Sequence, residues 1–173
     1  QMKRALVTGG AGFIGSHIVE ALLDRGTEVL AIDNLSTGSE RNIAAAQQRF
    51  GQKFELRVLD IRSEQAAAAV VEYEPEVIFH LGAQISVRRS VAEPMFDSTV
   101  NVAGTVNMIE AARTAGTKKF IFASTGGAIY GEQEQFPADE RHRTEPECPY
   151  GVSKRSAELF LEYYARAYGL GTT

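Results

Sequence analysis

The chain has 173 residues, is 44% apolar and 23% charged, and carries a net charge of −4. That length suits one domain with a substantial core, and the mildly acidic balance offers no electrostatic footprint for nucleic acid or an anionic membrane surface. Cys148 is the only cysteine and no apolar run nears the roughly 20 residues that span a bilayer, so the expectation is a soluble, cytoplasmic protein without disulfides.

Ahead of the first strand, QMKR is too short for a signal peptide, and Gln1 before Met2 reads as an expression remnant. ALVTG (5–9) predicts a strand, followed by a helix over about 13–25 and a second strand, EVLAID (28–33). A helical stretch near 39–50 leads to FELRVLD (54–60), and a helix over about 63–73 leads to EVIFHLG (76–82). A long helical pattern, about 95–115, precedes the fifth strand, KKFIFAST (118–125), and the last helix covers about 149–168. Gly169 suits the position just past a helix, and a sixth strand is expected to begin about there. The strand runs are nearly continuously apolar, as parallel strands buried on both faces are. Strands alternating with helices imply right-handed crossovers and a doubly wound α/β sheet. Two loops, 81–94 and 125–149, are longer than crossovers need. Both follow strands, and the carboxyl edge of such a sheet is where ligands bind.

GGAGFIG follows the first strand and opens the first helix, with an acid, Asp33, 18 residues after Gly15 at the end of the second strand. Strand, glycines, helix and acid together make a dinucleotide fingerprint; without that context the glycines would be only a turn. Gly9 permits the sharp bend, Gly12 lets the backbone approach a pyrophosphate, and Gly15 allows close helix–strand packing. The helix N-terminus favours the phosphates. A carboxylate at 33 accepts from ribose hydroxyls and repels a 2′-phosphate, and NLSTG (34–38) supplies no Arg or Lys to reverse this, so NAD is expected over NADP. Asp60, followed by Ile61, ends the third strand at the height of an adenine; a helix N-cap or loop acid is an almost equal reading.

PYGVSKRSAELF (149–160) sets Tyr150 and Lys154 four apart at a helix start, hence on one face. A phenol ionises near pH 10 unaided. The Lys154 ammonium and the positive nicotinamide ring are expected to stabilise the phenolate, so that Tyr150 exchanges a proton with a sugar hydroxyl as hydride moves.

TGGAGFIG, DNLSTG, FHLGAQ, STGGAIYG and YGVSK, in this order, resemble the extended short-chain dehydrogenase/reductases of the nucleotide-sugar epimerase and dehydratase group. The resemblance covers essentially the whole chain and is closest to the branch that epimerises UDP-hexoses at C4. It implies a Rossmann fold holding NAD, a UDP-sugar substrate (UDP-glucose or UDP-galactose) and oxidation to a transient 4-keto sugar. The positions it sets against the cofactor are Gly9, Gly12, Phe13, Ile14 and Gly15; Asp33, Asn34, Leu35, Ser36, Thr37 and Gly38; Asp60 and Ile61; Leu81, Gly82, Ala83 and Gln84; Asn101 and Ser124. It makes Tyr150 the catalytic base and Lys154 its helper, which also holds the nicotinamide ribose.

The family usually has Ser or Thr four residues before the Tyr-Gly pair, here Tyr130–Gly131, and that position is Gly126. Thr125 and Ser124 are displaced by one and two places; Thr125 is the catalytic candidate, with Ser124 or water as other replacements and a strand-end hydroxyl as the equal alternative. The related 4,6-dehydratases carry Asp–Glu where this chain has Gly127–Ala128, which favours epimerisation over water elimination. A non-catalytic NAD-binding module is the reading from a different class. The resemblance further implies a homodimer packed through the helices near 95–115 and 149–168. It also implies a C-terminal substrate domain beyond these residues, so the chain reads as a single NAD-binding domain, roughly the N-terminal half. His17, His80 and His142 lack metal-ligand spacing; His17 and His80 are expected to satisfy local hydrogen bonds near the sheet, and Arg88 and Arg89 to lie on a solvated face.

Overall fold

A computed structural model of the chain describes residues 2–173. Six parallel strands form one sheet in the order β3-β2-β1-β4-β5-β6: β1 Arg4–Thr8, β2 Glu28–Asp33, β3 Phe54–Val58, β4 Val77–His80, β5 Lys119–Phe122 and β6 Gly171–Thr172. This is the doubly wound order expected of a Rossmann fold, with its switch point between β1 and β4. The central strands are apolar because helices cover both faces: Ala5, Leu6 and Val7 of β1 and Leu30, Ala31 and Ile32 of β2 expose nothing. β3, at the edge, instead carries Glu55 and Arg57, which limits unwanted strand pairing.

The helices are α1 Phe13–Asp24, α2 Ala44–Phe50, α3 Glu64–Tyr73, α4 Val87–Ala92, α5 Pro94–Ser98, α6 Thr105–Thr114 and α7 Pro149–Tyr168. One core lies between the sheet and α3, α6 and α7, and centres on Leu6, Ile78, Met108, Ile109 and Phe120; the other, beneath α1 and α2, centres on Val7, Val19, Leu23 and Val29. Among the described residues no helix is long and apolar enough to cross a membrane.

Four local expectations need correction. The third to fifth strands stop two or three residues short of the expected ends, because Leu59–Ile61, Leu81–Gly82 and Ala123–Thr125 already belong to the ligand-side loops. The helix expected near 39–50 is a 3-10 turn at Glu40–Asn42, capped by the Ser39 hydroxyl, followed by α2. The long loop after β4 holds an unanticipated helix, α4, N-capped by Ser86. Between α5 and α6 the expected long helix widens into π geometry over Thr99–Gly104, a form that recurs at functional sites.

Candidate active site

The glycine turn sits over the switch point. Gly9 has φ +67°, and a side chain there would strike the Gly82 amide of the neighbouring loop at 2.9 Å. A Cβ on Gly15 would overlap Gly9 O, so α1 packs on the turn only because residue 15 is glycine. Gly12 differs: beyond Gly9 O at 3.2 Å, a Cβ would meet no protein atom within 4 Å. A side chain at 12 would ask the Gly9 carbonyl to give by a few tenths of an ångström, and the rest of its space is open, as an approaching pyrophosphate would need. No side chain caps α1, so the amides of its first turn stay available to an anion, beside exposed Phe13 and Ile14. These observations fit a bound dinucleotide. Gly10, which the sequence reading passed over, is equally constrained, since its Cβ would lie 2.6 Å from that of Ala31.

Asp33 has a second role, as a clamp. Its Oδ2 accepts from Ala11 N at 3.0 Å and its Oδ1 from Leu35 N at 2.8 Å, which ties the glycine turn to the loop after β2. Leu35 is held at φ 59°, an unfavourable conformation for a branched side chain that the Asp33 bond helps to fix. Asn34 donates to Asp60 Oδ2 at 3.2 Å, and the Asn34 side-chain oxygen accepts from Ser36 N. Thr37 follows, and Gly38 packs against the Asp33 carboxylate. Asp60 is gripped by the Arg62 guanidinium, whose hydrogen bonds hold its carboxyl down at about 2. The N-cap of α3 is Ser63, not Asp60, which removes the N-cap reading of that acid and leaves it as a loop acid bonded to Arg62. The Ile61 side chain is core, wedged under Gly82 and Gly104, leaving its backbone at the rim.

The segment 81–84 is pinned from behind. Thr8 Oγ1 accepts from Leu81 N at 3.1 Å and Gly82 N at 3.0 Å, so its own proton goes to His80 Nδ1 at 2.8 Å. His80 is therefore the Nε2–H tautomer, donating to Thr105 Oγ1 at 3.0 Å, and burial drives its pKa down to about 3. Ala83 leads to Gln84, whose backbone N and O bond Asn101 Oδ1 and Nδ2, both at 2.8 Å. Asn101 projects from the π-helical stretch and is 1% exposed, so it braces the segment from behind.

Tyr150 is half-buried at the N-terminus of α7. The Thr125 hydroxyl lies near its phenol and favours the ionised form, whereas Ser124 Oγ turns to Glu158 Oε1. Side chains at Gly126 or Gly127 would meet nothing within 4 Å, so the extra loop residue costs no packing and lets Thr125 reach Tyr150. Lys154, 4% exposed, donates to Ala123 O at 2.9 Å; its Nζ lies 4.8 Å from the Phe122 ring centroid and 5.9 Å from that of Tyr150. The ammonium thus sits beneath the ring rather than against the hydroxyl. Burial pushes the Tyr150 phenol up, and the nearby Thr125 hydroxyl opposes it. Lys154 itself is lowered to about 8 by burial, against the charges of Asp97 and Glu158. Beside Thr125 a cleft of about 540 Å³ is lined by Ser124, Gly126, Tyr130, Arg143 and Arg155; neither Tyr150 nor Lys154 lines it.

The other candidates fall outside this cluster. His17 is exposed and stands edge-on to Phe13 at 5.1 Å rather than bonded near the sheet. His142 bonds within its own loop. Arg88 and Arg89 are exposed, Arg89 pairing with Glu93 and lying over Phe96. No group of His, Cys, Asp or Glu among the described residues could hold a metal ion. The sequence reading missed Thr8, Asp97 and Ser153. The Asp97–Asn101 spacing of four, which turns both side chains to one helix face, was the available signal.

A family model described as GDP-mannose 4,6-dehydratase matches residues 6–173. UDP-glucose 4-epimerase of Mycolicibacterium smegmatis is 46% identical over 167 residues, 96% of this chain and 53% of that protein. The crystal structure of UDP-glucose 4-epimerase from Thermotoga maritima with UDP-glucose superposes with a TM-score of 0.90 at 42% identity, covering 98% of this chain and 53% of that one. Its counterpart from Thermus thermophilus in complex with NAD gives 0.89 at 44% identity, with the same coverages. The chain spans about half the length of the curated relatives it matches.

Proposed function

This chain belongs to the family of that dehydratase model, the NAD-dependent nucleotide-sugar epimerases and dehydratases, and on that premise we propose that the complete protein is an NAD-dependent UDP-hexose 4-epimerase. The observation that carries the reading is the Thr125–Tyr150–Lys154 cluster at the carboxyl edge of the sheet, beside an uncapped helix and an open glycine turn.

The glycine turn, Asp33 and the 81–84 segment would hold NAD, which when bound would supply a reversible hydride acceptor for sugar C4. Tyr150 removes the proton of the C4 hydroxyl, leaving a transient 4-keto sugar, and gives it back when hydride returns to the opposite face. Thr125, near the phenol, orients that hydroxyl. Lys154 holds positive charge beneath the ring and a ribose hydroxyl beside it. Burial opposes ionisation of Tyr150, so a positive charge brought near the phenol would favour its action as a base. Gly127 and Ala128 offer no acid or base for water elimination, which supports epimerisation over dehydration. Asp33 and the uncharged 34–38 loop favour NAD, and calorimetry should give a clearly weaker dissociation constant for NADP.

A homodimer is part of the proposal. Val152, Leu159, Phe160 and Tyr163 form one exposed apolar stripe along α7, beside exposed Met95 on α5. The lone, half-buried Cys148 suits a reducing compartment, and we read the protein as cytoplasmic. The deciding experiment is a screen of UDP-sugars with the complete protein and added NAD. Interconversion of UDP-glucose and UDP-galactose is expected. Turnover of another sugar alone would reassign the substrate, and NAD binding with no turnover would make the protein a binding module.

A further inference from the structure

Asp97, on α5, is the centre of a buried polar knot that neither the glycine turn nor the Tyr–Lys pair requires. It exposes no surface. Its Oδ1 accepts from Gln84 Nε2 at 2.8 Å and Asn101 Nδ2 at 3.1 Å, and its Oδ2 accepts from Ser153 Oγ at 2.6 Å. The donors come from the loop after β4, the π-helical stretch and the first turn of α7. A carboxylate so buried is costly unless its lone pairs are filled and a positive charge lies near. The three donors give both carboxylate oxygens a partner. The near charge is Lys154, the next residue after Ser153 and itself almost wholly buried.

We propose that Asp97 is a positioning residue for the catalytic pair: its carboxylate fixes the first turn of α7 against the 81–84 segment and balances the buried Lys154 ammonium. The inference rests on the roles proposed above for Tyr150 and Lys154. Two carboxylates favour the charged form of Lys154, Asp97 from α5 and Glu158 from α7. Glu158 is already engaged by Arg155 at 3.0 Å and by Ser124, whereas Asp97 meets only neutral donors. Asp97 is therefore the less compensated of the two. His80, beneath Lys154 on β4, is held neutral by burial and adds no competing charge. Around Tyr150 the remaining neighbours are Thr125 and Cys148.

Asp97→Asn separates charge from shape. The asparagine carbonyl can still accept from Gln84 and Asn101, and its amide can donate to Ser153 Oγ, so the knot survives with one bond reversed. The test uses the complete protein with carbon-13 at lysine Cε, the Lys154 resonance being assigned with Lys154→Arg. This titration requires no substrate. Removing the negative neighbour disfavours the charged amine, so in Asp97→Asn the Lys154 midpoint should fall by about 0.5–1 pH unit. The alkaline limb of the rate profile should fall with it. Asp97→Ser removes the same charge and admits water, should the asparagine variant fail to fold. Ser153→Ala keeps the charge and cuts the tie to α7: its midpoint should stay in place while kcat falls. An unmoved midpoint in both charge-removing variants, or an equal movement in Ser153→Ala, would overturn the proposal. A lowered midpoint in a protein that epimerises nothing would keep Asp97 as the balancing charge and reject the functional reading instead.

Discussion

Tyr150 shares a helix face with Lys154, yet its ionisation depends on more than that neighbour. Burial raises the phenol, Thr125 lowers it, and the ammonium lies under the ring, so the residue can hold its proton until positive charge arrives from the cofactor side. Tyr150→Phe keeps the ring and removes only the hydroxyl. Turnover should fall by at least about a thousandfold, given the usual reach of acid–base catalysis, while calorimetric NAD affinity stays nearly unchanged. A purified variant with the parental rate would dismiss Tyr150 as the base. His80 makes the opposite case, a titratable group whose function requires neutrality. Its folded pKa, near 3, lies below the unfolded value of about 6.5, so its stabilising share is complete above 6.5 and is lost as pH falls towards 3. From about pH 7.5 to about pH 5 that loss amounts to roughly 2 kcal/mol. Urea unfolding at the two pH values should show it in the parent and not in His80→Gln; equal losses in both would place the acid sensitivity elsewhere.

Elements were legible in the sequence wherever local pattern and tertiary demand agreed. α1, α3 and α7 and the cores of the first five of the six expected strands stand where their periodicity predicts them, because burial against the sheet selects the same residues that the pattern marks. Strand ends were not legible: apolar Leu59, Ile61 and Leu81 continue the strand pattern but serve the loops, where Ile61 packs under two glycines. The π-helical stretch was invisible too, since widening one turn leaves the apolar spacing almost unchanged, and only the Asp97–Asn101–Gln84 bonds reveal its purpose. At the site, Thr125 was legible only as a displaced hydroxyl; the open space around Gly126 and Gly127 decides that it can reach Tyr150. The same scale governs association. The α7 stripe at 152, 159, 160 and 163 has the spacing of a helix made to meet another helix, and the core face of α7, with Ala157 and Leu161, lies on the other side. Phe160→Glu in the complete protein should convert a dimer into a monomer by light scattering, with its circular dichroism unchanged. A parent that is monomeric at micromolar concentration would contradict the dimer.

Across the whole molecule, the groups suited to the cofactor and those suited to the substrate are unequally represented. The glycine turn, Asp33, Asp60, the 81–84 segment, Tyr150 and Lys154 all lie on the carboxyl edge of β1–β5 or at the start of α7, so a protein of these 173 residues carries a full dinucleotide cradle. Ile85 and Phe136 are 67% and 84% exposed, and the edge of β5 is paired only as far as Thr173, whose carbonyl accepts from Phe122 N at 2.8 Å. The relatives of known activity are about twice as long, and the uridine and phosphates of a substrate would find few partners here apart from the polar cleft beside Thr125. Catalysis by proton and hydride exchange depends on holding the sugar C4 within reach of the phenol, and that positioning is worth several kcal/mol of barrier. The 173-residue protein alone is therefore expected to bind NAD, more weakly than the complete protein, and to show little or no epimerase turnover. The check is a coupled assay run beside calorimetry on the same preparation. Rates equal to those of the complete protein would overturn the expectation and would locate the substrate site within the two long loops, 81–94 and 125–149. Failure to bind NAD would mean that the cradle needs support from outside these residues to form.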